Sequence, residues 1–311
     1  MTKLFVYSSY SPSFQQYLVQ HLPENIATSF KTNLPDADAR KAFREASIVA
    51  GNPPLDWFDP LPEQLTFWQL DSAGFEKYSQ LALTIPVANM GDFFARPCAE
   101  TIVGGVLAWY RGIPQSVRLQ DAHHWNGKAI RNTVQLLGRQ QVIVLGAGAI
   151  GMAVKEMLTG FGCTIHMAAR SNPAATIHSK EELLQALSAT NLVINTLPGS
   201  ADKYMTEELF AALPNGSVYA SVGRGNTTDE TAMIAVLQSG KLAGAVLDVT
   251  EKEPLPADNP LWNMPEVILT QHSGGGRADE DTGKIDLLIA NINSFIKGGK
   301  IENPVTLSRG Y

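Results

Sequence analysis

The sequence predicts an α/β protein with two domains, one of which contains a doubly wound parallel sheet. Three observations support this fold class. The 311 residues exceed what one ordinary domain holds. Apolar strand patterns alternate with helical patterns along most of the chain, which is typical of parallel sheets flanked by helices. A glycine-rich turn joins one of these strands directly to a helix.

Composition and charge exclude several classes of protein. Hydrophobic residues make up 44 % and charged residues 17 %, which is incompatible with a disordered chain. The formal net charge of −6 argues against a nucleic acid as the main partner. The longest apolar stretch, 102–110, contains two glycines and is shorter than the roughly 18 residues of a membrane span. The segment MTKLFVYSS lacks the pattern of an export signal, so we expect a cytoplasmic protein without a membrane segment.

The first half of the chain alternates short strands with helical patterns. Strands are predicted at 4–8, 47–50, 65–70 and 85–89, and helices at 13–22, 93–111 and 114–131. Cys98 lies in one of these helices, and Cys163 lies at the start of a later strand. Two cysteines do not make a disulfide framework, so we expect both to be buried, unreactive thiols.

From residue 141 onward the alternation becomes strict. Strands are predicted for the segments QVIVL, CTIHMAA, NLVINTLP, GSVYASV, AGAVLDV and EVILTQ. Helical patterns separate most of them, and a last helix is predicted at 279–296. This alternation is the pattern of a doubly wound Rossmann sheet, whose ligands bind at the carboxyl ends of the strands.

The turn after QVIVL has the pattern G-x-G-x-x-G, formed by Gly146, Gly148 and Gly151. The first glycine permits a tight turn, the second lets the backbone approach a pyrophosphate, and the third permits close packing of helix on strand. Ala149 and Ile150 begin the helix whose N-terminus would face the anion. We therefore predict a dinucleotide-binding turn; the alternative is a glycine turn with only a structural role.

The end of the strand CTIHMAA predicts which dinucleotide is bound. Enzymes that prefer NAD usually place an Asp or Glu here to accept the ribose hydroxyls, whereas this chain has Arg170 and Ser171 and no acid. A guanidinium and a hydroxyl would bind a 2′-phosphate. We therefore predict NADP(H), with NAD as the less favoured cofactor; the alternative is an exposed arginine without a ligand.

Three later segments each follow a strand of this sheet, namely ASVGRGNTTDE, AGAVLDVTEKEPLPADNPLW and VILTQHSGG. Together with the glycine turn, their order and separations closely resemble those of the D-isomer-specific 2-hydroxyacid dehydrogenases. The resemblance runs from DSAGFEKY onward, and the first 60 residues are only loosely similar. It implies a dinucleotide-binding domain at 92–276 and a smaller, discontinuous, flavodoxin-like substrate domain at 1–91 and 277–311.

The resemblance also implies the catalytic residues. Arg224 would bind the substrate carboxylate and polarise the keto oxygen, and His272 would be the acid/base. Glu253, immediately before a proline, would pair with this histidine. Ala73 and Gly74 would grip the substrate carboxylate through their backbone N–H groups.

Further residues are implied at the cofactor and at a partner subunit. Asp248 would hold the nicotinamide carboxamide. The other residues expected at the cofactor are Leu197, Pro198, Val222 and Gly274. His123, His124 and Trp125 resemble a segment that family dimers place at the partner subunit, which implies a homodimer through the cofactor domain. The alternative is a pair of solvated histidines.

Elementary chemistry supports these roles independently of the family. Reduction of a 2-keto acid needs a fixed cation for the carboxylate, a proton donor for the keto oxygen and a source of hydride. Arg224 cannot lose its charge near neutral pH, and a carboxylate beside His272 would stabilise its imidazolium form. Taken singly, the histidine could be an ordinary polar residue and the arginine part of a surface ion pair.

Departures from the family pattern limit the substrate prediction. Asn89, Met90 and Gly91 replace the usual run of asparagine, proline and glycine. Glu253 stands where formate dehydrogenase carries glutamine, which disfavours formate. We find no Cys/His cluster with metal spacing. The predicted function is reduction of a small 2-keto acid, with glyoxylate or hydroxypyruvate favoured; the rival is a dinucleotide-sensing corepressor on the same fold.

Overall fold

The computed structural model describes residues 1–309, and the chain divides into two compact units. The first unit joins Met1–Phe93 to the described part of the segment that begins at Arg277. The second unit is Phe94–Gly276. Among the residues described, no helix is both long and apolar enough to cross a membrane.

Strands and helices alternate along most of the described chain. The strands are β1 Thr2–Val6, β2 Ile26–Phe30, β3 Ile48–Ala50, β4 Phe67–Gln69, β5 Val87–Ala88, β6 Gln141–Leu145, β7 Thr164–Ala168, β8 Leu192–Asn195, β9 Ser217–Ser221, β10 Leu242–Leu247, β11 Val267–Leu269 and β12 Pro304–Val305. The helices are α1 Pro12–His21, α2 Asp36–Glu45, α3 Ala95–Tyr110, α4 Ile113–Asp121, α5 Gly127–Arg131, α6 Ala149–Thr159, α7 Lys180–Leu187, α8 Glu207–Ala212, α9 Glu230–Gln238 and α10 Glu280–Ile296.

The first unit is built on a six-stranded sheet in the order β12-β5-β4-β3-β1-β2. Its neighbouring strands are parallel, except that β12 pairs antiparallel with β5. Aromatic side chains fill one face of this sheet, among them Phe5, Phe43, Trp57, Phe58 and Trp68. Apolar residues of α1 and α10 cover the other face. This unit therefore uses residues from both ends of the chain.

The second unit contains a parallel six-stranded sheet in the order β11-β10-β9-β8-β6-β7. Buried residues of α3, among them Ile102 and Val106, pack with Val154 of α6 against one face. Leu183 of α7 and Phe210 of α8 pack against the other. Helices on both faces of a parallel sheet confirm the predicted α/β Rossmann class. All the carboxyl ends of its strands consequently lie along one edge.

Several elements differ from the sequence prediction. Strand β2 and helix α2 are present but were not predicted, because IATSF has little apolar alternation and DADARKAFRE is dominated by charge. The polar stretch predicted as one helix at 114–131 forms α4 and α5 instead. Between them His123 adopts a φ of 49°, which is incompatible with a continuing right-handed helix.

The environments of the two thiols predict their reactivity. Burial raises the pKa of Cys98 to about 11. Cys163 is only partly buried, contrary to the expectation, but desolvation still raises its pKa, and its Sγ donates to the Leu137 carbonyl at 3.3 Å. Because the thiolate is the reactive form, we expect slow modification of the native protein by a thiol reagent at pH 8. Modification of Cys98 should accelerate as the pH rises toward 11. Denatured protein, in which both thiols react, provides the reference for a chromogenic thiol reagent. Immediate reaction of both cysteines in native protein at pH 8 would contradict this expectation.

Candidate functional site

The glycine turn after β6 presents open backbone at its second glycine. Gly146 has a φ of 96°, and a Cβ there would lie 2.7 Å from Thr196 Oγ1, while a Cβ on Gly151 would meet the Gly146 carbonyl. Gly148, in contrast, has nothing within 4 Å of its Cβ position. It precedes α6 and provides no side-chain cap for the N–H groups of the first turn. The residues present therefore fit a pyrophosphate against this turn.

The loop after β7 lies beside the glycine turn. The Asn172 side chain joins the two by donating from Nδ2 to the Ala147 carbonyl at 2.7 Å. Arg170 and Ser171 are exposed, and Arg170 forms no ion pair with another residue of the described chain. An exposed cation without a carboxylate partner is suited to bind a phosphate.

Two glycines fix the position of Arg224 after β9. A Cβ on Gly223 would collide with the backbone of Leu197, in the loop after β8, and a Cβ on Gly225 would collide with the backbone of Thr250, in the loop after β10. The turn that carries Arg224 is therefore packed between two neighbouring loops. The half-buried guanidinium donates from Nη1 to the Gly223 carbonyl at 2.9 Å.

His272 and Glu253 lie in contact, as the family resemblance implies. The Nδ1 atom of His272 lies 2.6 Å from Glu253 Oε2, and Oε1 of the same carboxylate accepts the Thr250 N–H at 3.0 Å. The two side chains are 53 % and 35 % exposed. Since Nδ1 faces the carboxylate, Nε2 is the ring nitrogen that remains for a ligand.

Asp248 holds the loop that carries His272, a role that sequence reasoning missed. Its Oδ1 accepts hydrogen bonds from Thr270 Oγ1 at 2.6 Å, from the Ser273 N–H at 3.1 Å and from the Gly274 N–H at 3.0 Å. Its carbonyl accepts the His272 N–H at 2.6 Å. The sequence shows an aspartate after a strand, but it does not show the loop conformation that brings these N–H groups to its carboxylate. The predicted contact of Asp248 with nicotinamide stays a prediction.

The other predicted residues lie near strand ends. Leu197 and Pro198 follow β8, Val222 follows β9, and Gly274 lies after β11 with its Cβ position 2.6 Å from Asp248 Oδ2. A cavity of 420 Å³ adjoins the pair of His272 and Glu253. Its apolar lining consists of Leu247, Pro254, Leu255, Trp262 and Leu269. The second unit thus provides a cation, a paired histidine and an apolar cavity.

Ala73 and Gly74 belong to the first unit, in the loop after β4. Asn89 Nδ2 donates to the Ala73 carbonyl and Ser72 Oγ donates to the Gly74 carbonyl, both at 2.6 Å. Their own N–H groups donate to no backbone carbonyl within the described residues. The loop is held through its carbonyls, which leaves its amides suited to bind an anion. Asn89 therefore has a structural role here; its neighbour Met90 is buried.

Sequence comparison gives a specific family match. The profile described as "D-isomer specific 2-hydroxyacid dehydrogenase, NAD binding domain" matches residues 103–274. A protein named glyoxylate/hydroxypyruvate reductase A, from Salmonella heidelberg, is 32 % identical over 240 residues, which span 74 % of either chain.

Solved structures are similar over the whole chain. A D-isomer-specific 2-hydroxyacid dehydrogenase from Xanthobacter autotrophicus, in complex with NADPH and MES, has a TM-score of 0.82 and 26 % identity and covers 100 % of this chain and 99 % of its own. An NADPH-dependent glyoxylate/hydroxypyruvate reductase from Sinorhizobium meliloti, in complex with NADP and malonate, has a TM-score of 0.78 and 26 % identity. That match covers 99 % of this chain and 97 % of the other.

The geometry of Gly148 predicts that a substitution there weakens dinucleotide binding without impairing folding. Gly148→Ala should fold normally, because its backbone angles suit alanine and its Cβ would meet no atom. It should weaken dinucleotide binding at least tenfold, since the methyl group occupies the side from which a pyrophosphate would approach. Titration by cofactor fluorescence and a melting curve measure the two effects. Gly104→Ala on α3, also unobstructed, is the control; equal affinities for both variants would refute this assignment of the turn.

Proposed function

The chain belongs to the D-isomer-specific 2-hydroxyacid dehydrogenases, which are NAD(P)-dependent oxidoreductases, and on that premise we propose that it reduces a small 2-keto acid with NADPH. Glyoxylate and hydroxypyruvate are the favoured substrates. The observation that carries the proposal is the contact of 2.6 Å between His272 Nδ1 and Glu253 Oε2. This contact occupies Nδ1 and leaves Nε2 as the ring nitrogen that can donate a proton to the substrate. The similarity to relatives named glyoxylate/hydroxypyruvate reductase supports the substrate class.

The chain's own residues divide the chemistry between them. Arg224 binds the carboxylate of the keto acid through its guanidinium and places positive charge near the keto oxygen. His272 gives the proton on Nε2 to that oxygen as it becomes a hydroxyl. Glu253 orients the ring by accepting a hydrogen bond from Nδ1, which leaves Nε2 to face the keto oxygen. When bound, the reduced nicotinamide ring supplies the hydride.

The cofactor is proposed to be NADPH rather than NADH. Gly148 and the first turn of α6 would hold the pyrophosphate, and Arg170 with Ser171 would hold the 2′-phosphate. The relatives from Xanthobacter autotrophicus and Sinorhizobium meliloti were solved with NADPH and NADP. Both observations support the same cofactor.

The chain is further proposed to act as a homodimer through its second unit. Trp125 is 99 % exposed, and Ile113, Val117 and Leu136 nearby in sequence are each about half exposed. Trp125 also lines a shallow cavity of 540 Å³ with His123 and His124. An apolar surface of this kind is typical of a protein interface, and a second copy of the chain would cover it.

The proposed activity predicts a specific pattern of turnover. NADPH oxidation, followed by absorbance, should be fast with glyoxylate or hydroxypyruvate and slower with pyruvate and phenylpyruvate. His272→Ala should lower kcat by about 10² to 10⁴, while the Kd for NADPH stays within twofold. His21→Ala, which changes an exposed histidine on α1, is the matched control. A His272→Ala variant with normal kcat would remove this histidine from the mechanism, and no turnover with any 2-keto acid would overturn the proposed function.

Arg170 is expected to set the choice of dinucleotide. A charge-assisted contact with the 2′-phosphate contributes about 1.5 to 3 kcal/mol. Arg170→Ala should therefore raise the KM for NADPH by about 10- to 100-fold. The KM for NADH should change little. Arg139→Ala removes another exposed arginine of the second unit and should leave both values unchanged. A wild-type protein that already prefers NADH would contradict the proposal.

A further inference from the structure

A buried polar cluster lies beneath the turn that carries Arg224. It consists of Asn195, Tyr219, Thr227 and Thr228, of which the first three are 0 % exposed. These residues stand at the end of β8, within β9 and directly after the turn. Burying uncharged polar side chains contributes little net stability, and apolar residues could fill the same space. The arrangement of their hydrogen bonds therefore calls for a functional reason.

One arm of the cluster runs in a fixed direction from the loop after β8 to Arg224. The Leu197 N–H donates to Asn195 Oδ1 at 3.0 Å, which fixes the orientation of the amide. Asn195 Nδ2 then donates to Thr227 Oγ1 at 2.8 Å. The only proton of that hydroxyl goes to the Arg224 carbonyl at 2.6 Å. Each donor and acceptor on this path has one possible role.

The other arm ends inside the cluster. The second hydrogen of Asn195 Nδ2 goes to the Tyr219 hydroxyl at 2.9 Å, which in turn lies 2.6 Å from Thr228 Oγ1. Neither contact reaches Arg224. The two arms begin at the same amide, both consist of buried residues, and only the first contacts the arginine.

We infer that Thr227, held by Asn195, is a positioning residue that fixes Arg224 for the carboxylate of the substrate. The inference rests on the proposed function of Arg224. The glycines on either side of Arg224 let its turn pack against two loops, but neither has a side chain that could hold the Arg224 backbone. Asn226, further along, is anchored to the Gly199 carbonyl and to Asp202. The Thr227 hydroxyl supplies a restraint at the Arg224 carbonyl itself. The same carbonyl also accepts the Thr227 N–H at 3.1 Å, so the turn should survive loss of the hydroxyl while becoming less well fixed.

Two isosteric variants separate positioning from stability. Thr227→Val and Tyr219→Phe each leave one N–H of Asn195 without its acceptor, so both should lower the Tm by similar amounts. Only Thr227→Val releases Arg224. We expect this variant to raise the KM for the keto acid about tenfold or more, with the Kd for NADPH within twofold of wild type. Tyr219→Phe should leave the KM within twofold, and Thr227→Ser, which keeps the hydroxyl, should restore it.

A readout that needs no turnover keeps this inference independent of the proposed function. Amide hydrogen exchange across residues 223–228 should accelerate in Thr227→Val and remain near wild type in Tyr219→Phe and Thr227→Ser. If wild-type protein reduces no 2-keto acid, the proposed function fails, and the exchange data still decide whether Thr227 restrains the turn. Equal KM and equal exchange in Thr227→Val and Tyr219→Phe would show a purely structural cluster and overturn the inference.

Discussion

The geometry of the site depends on the hydrogen bonds that the buried carboxylate of Asp248 accepts. One carboxylate oxygen accepts hydrogen bonds from a side chain and two backbone amides of the loop after β11. The backbone carbonyl of Asp248 accepts the His272 N–H. This loop contains two consecutive non-glycine residues, Gln271 and His272, with φ near 55°. Each such residue costs about 1 to 2 kcal/mol, and the contacts with Asp248 offset that cost. Without them His272 would not be directed at Glu253.

Charged and neutral polar groups are used differently in the second unit. The pair of His272 and Glu253 remains partly exposed, which avoids the desolvation penalty of a buried ion pair. The groups beneath Arg224 are fully buried but uncharged, and both N–H groups and the oxygen of Asn195 have partners. Solvated charges can change protonation or bind an anion, whereas buried amides and hydroxyls hold their neighbours in place. Charged residues therefore carry out the proposed chemistry, and uncharged polar residues hold them in place.

Periodicity and order along the chain predicted most of the second unit. Alternating patterns identified its parallel sheet, and the glycine turn lies between β6 and α6 as expected. The meeting of Glu253 with His272 came from family resemblance, because a separation of 19 positions gives no distance. Asn195 and Thr227 could not be identified in this way, since a polar residue at the end of a strand has the same pattern whether it is buried or solvated. Strand β2 was missed because it has little alternation and lies at the edge of its sheet.

The discontinuity of the first unit has a consequence for how the chain folds as it is synthesised. Gln69 can accept its 2.7 Å hydrogen bond from Asn291 only after 222 further residues have been translated, and β5 can pair with β12 only after that. The second unit is contiguous, so all of its strands are synthesised before α10. Domains generally fold as units during translation. The nascent N-terminal segment must therefore wait for α10 while the inserted unit is completed, with one face of its sheet covered only in part, by α1. Apolar surface left exposed in this way is prone to aggregate.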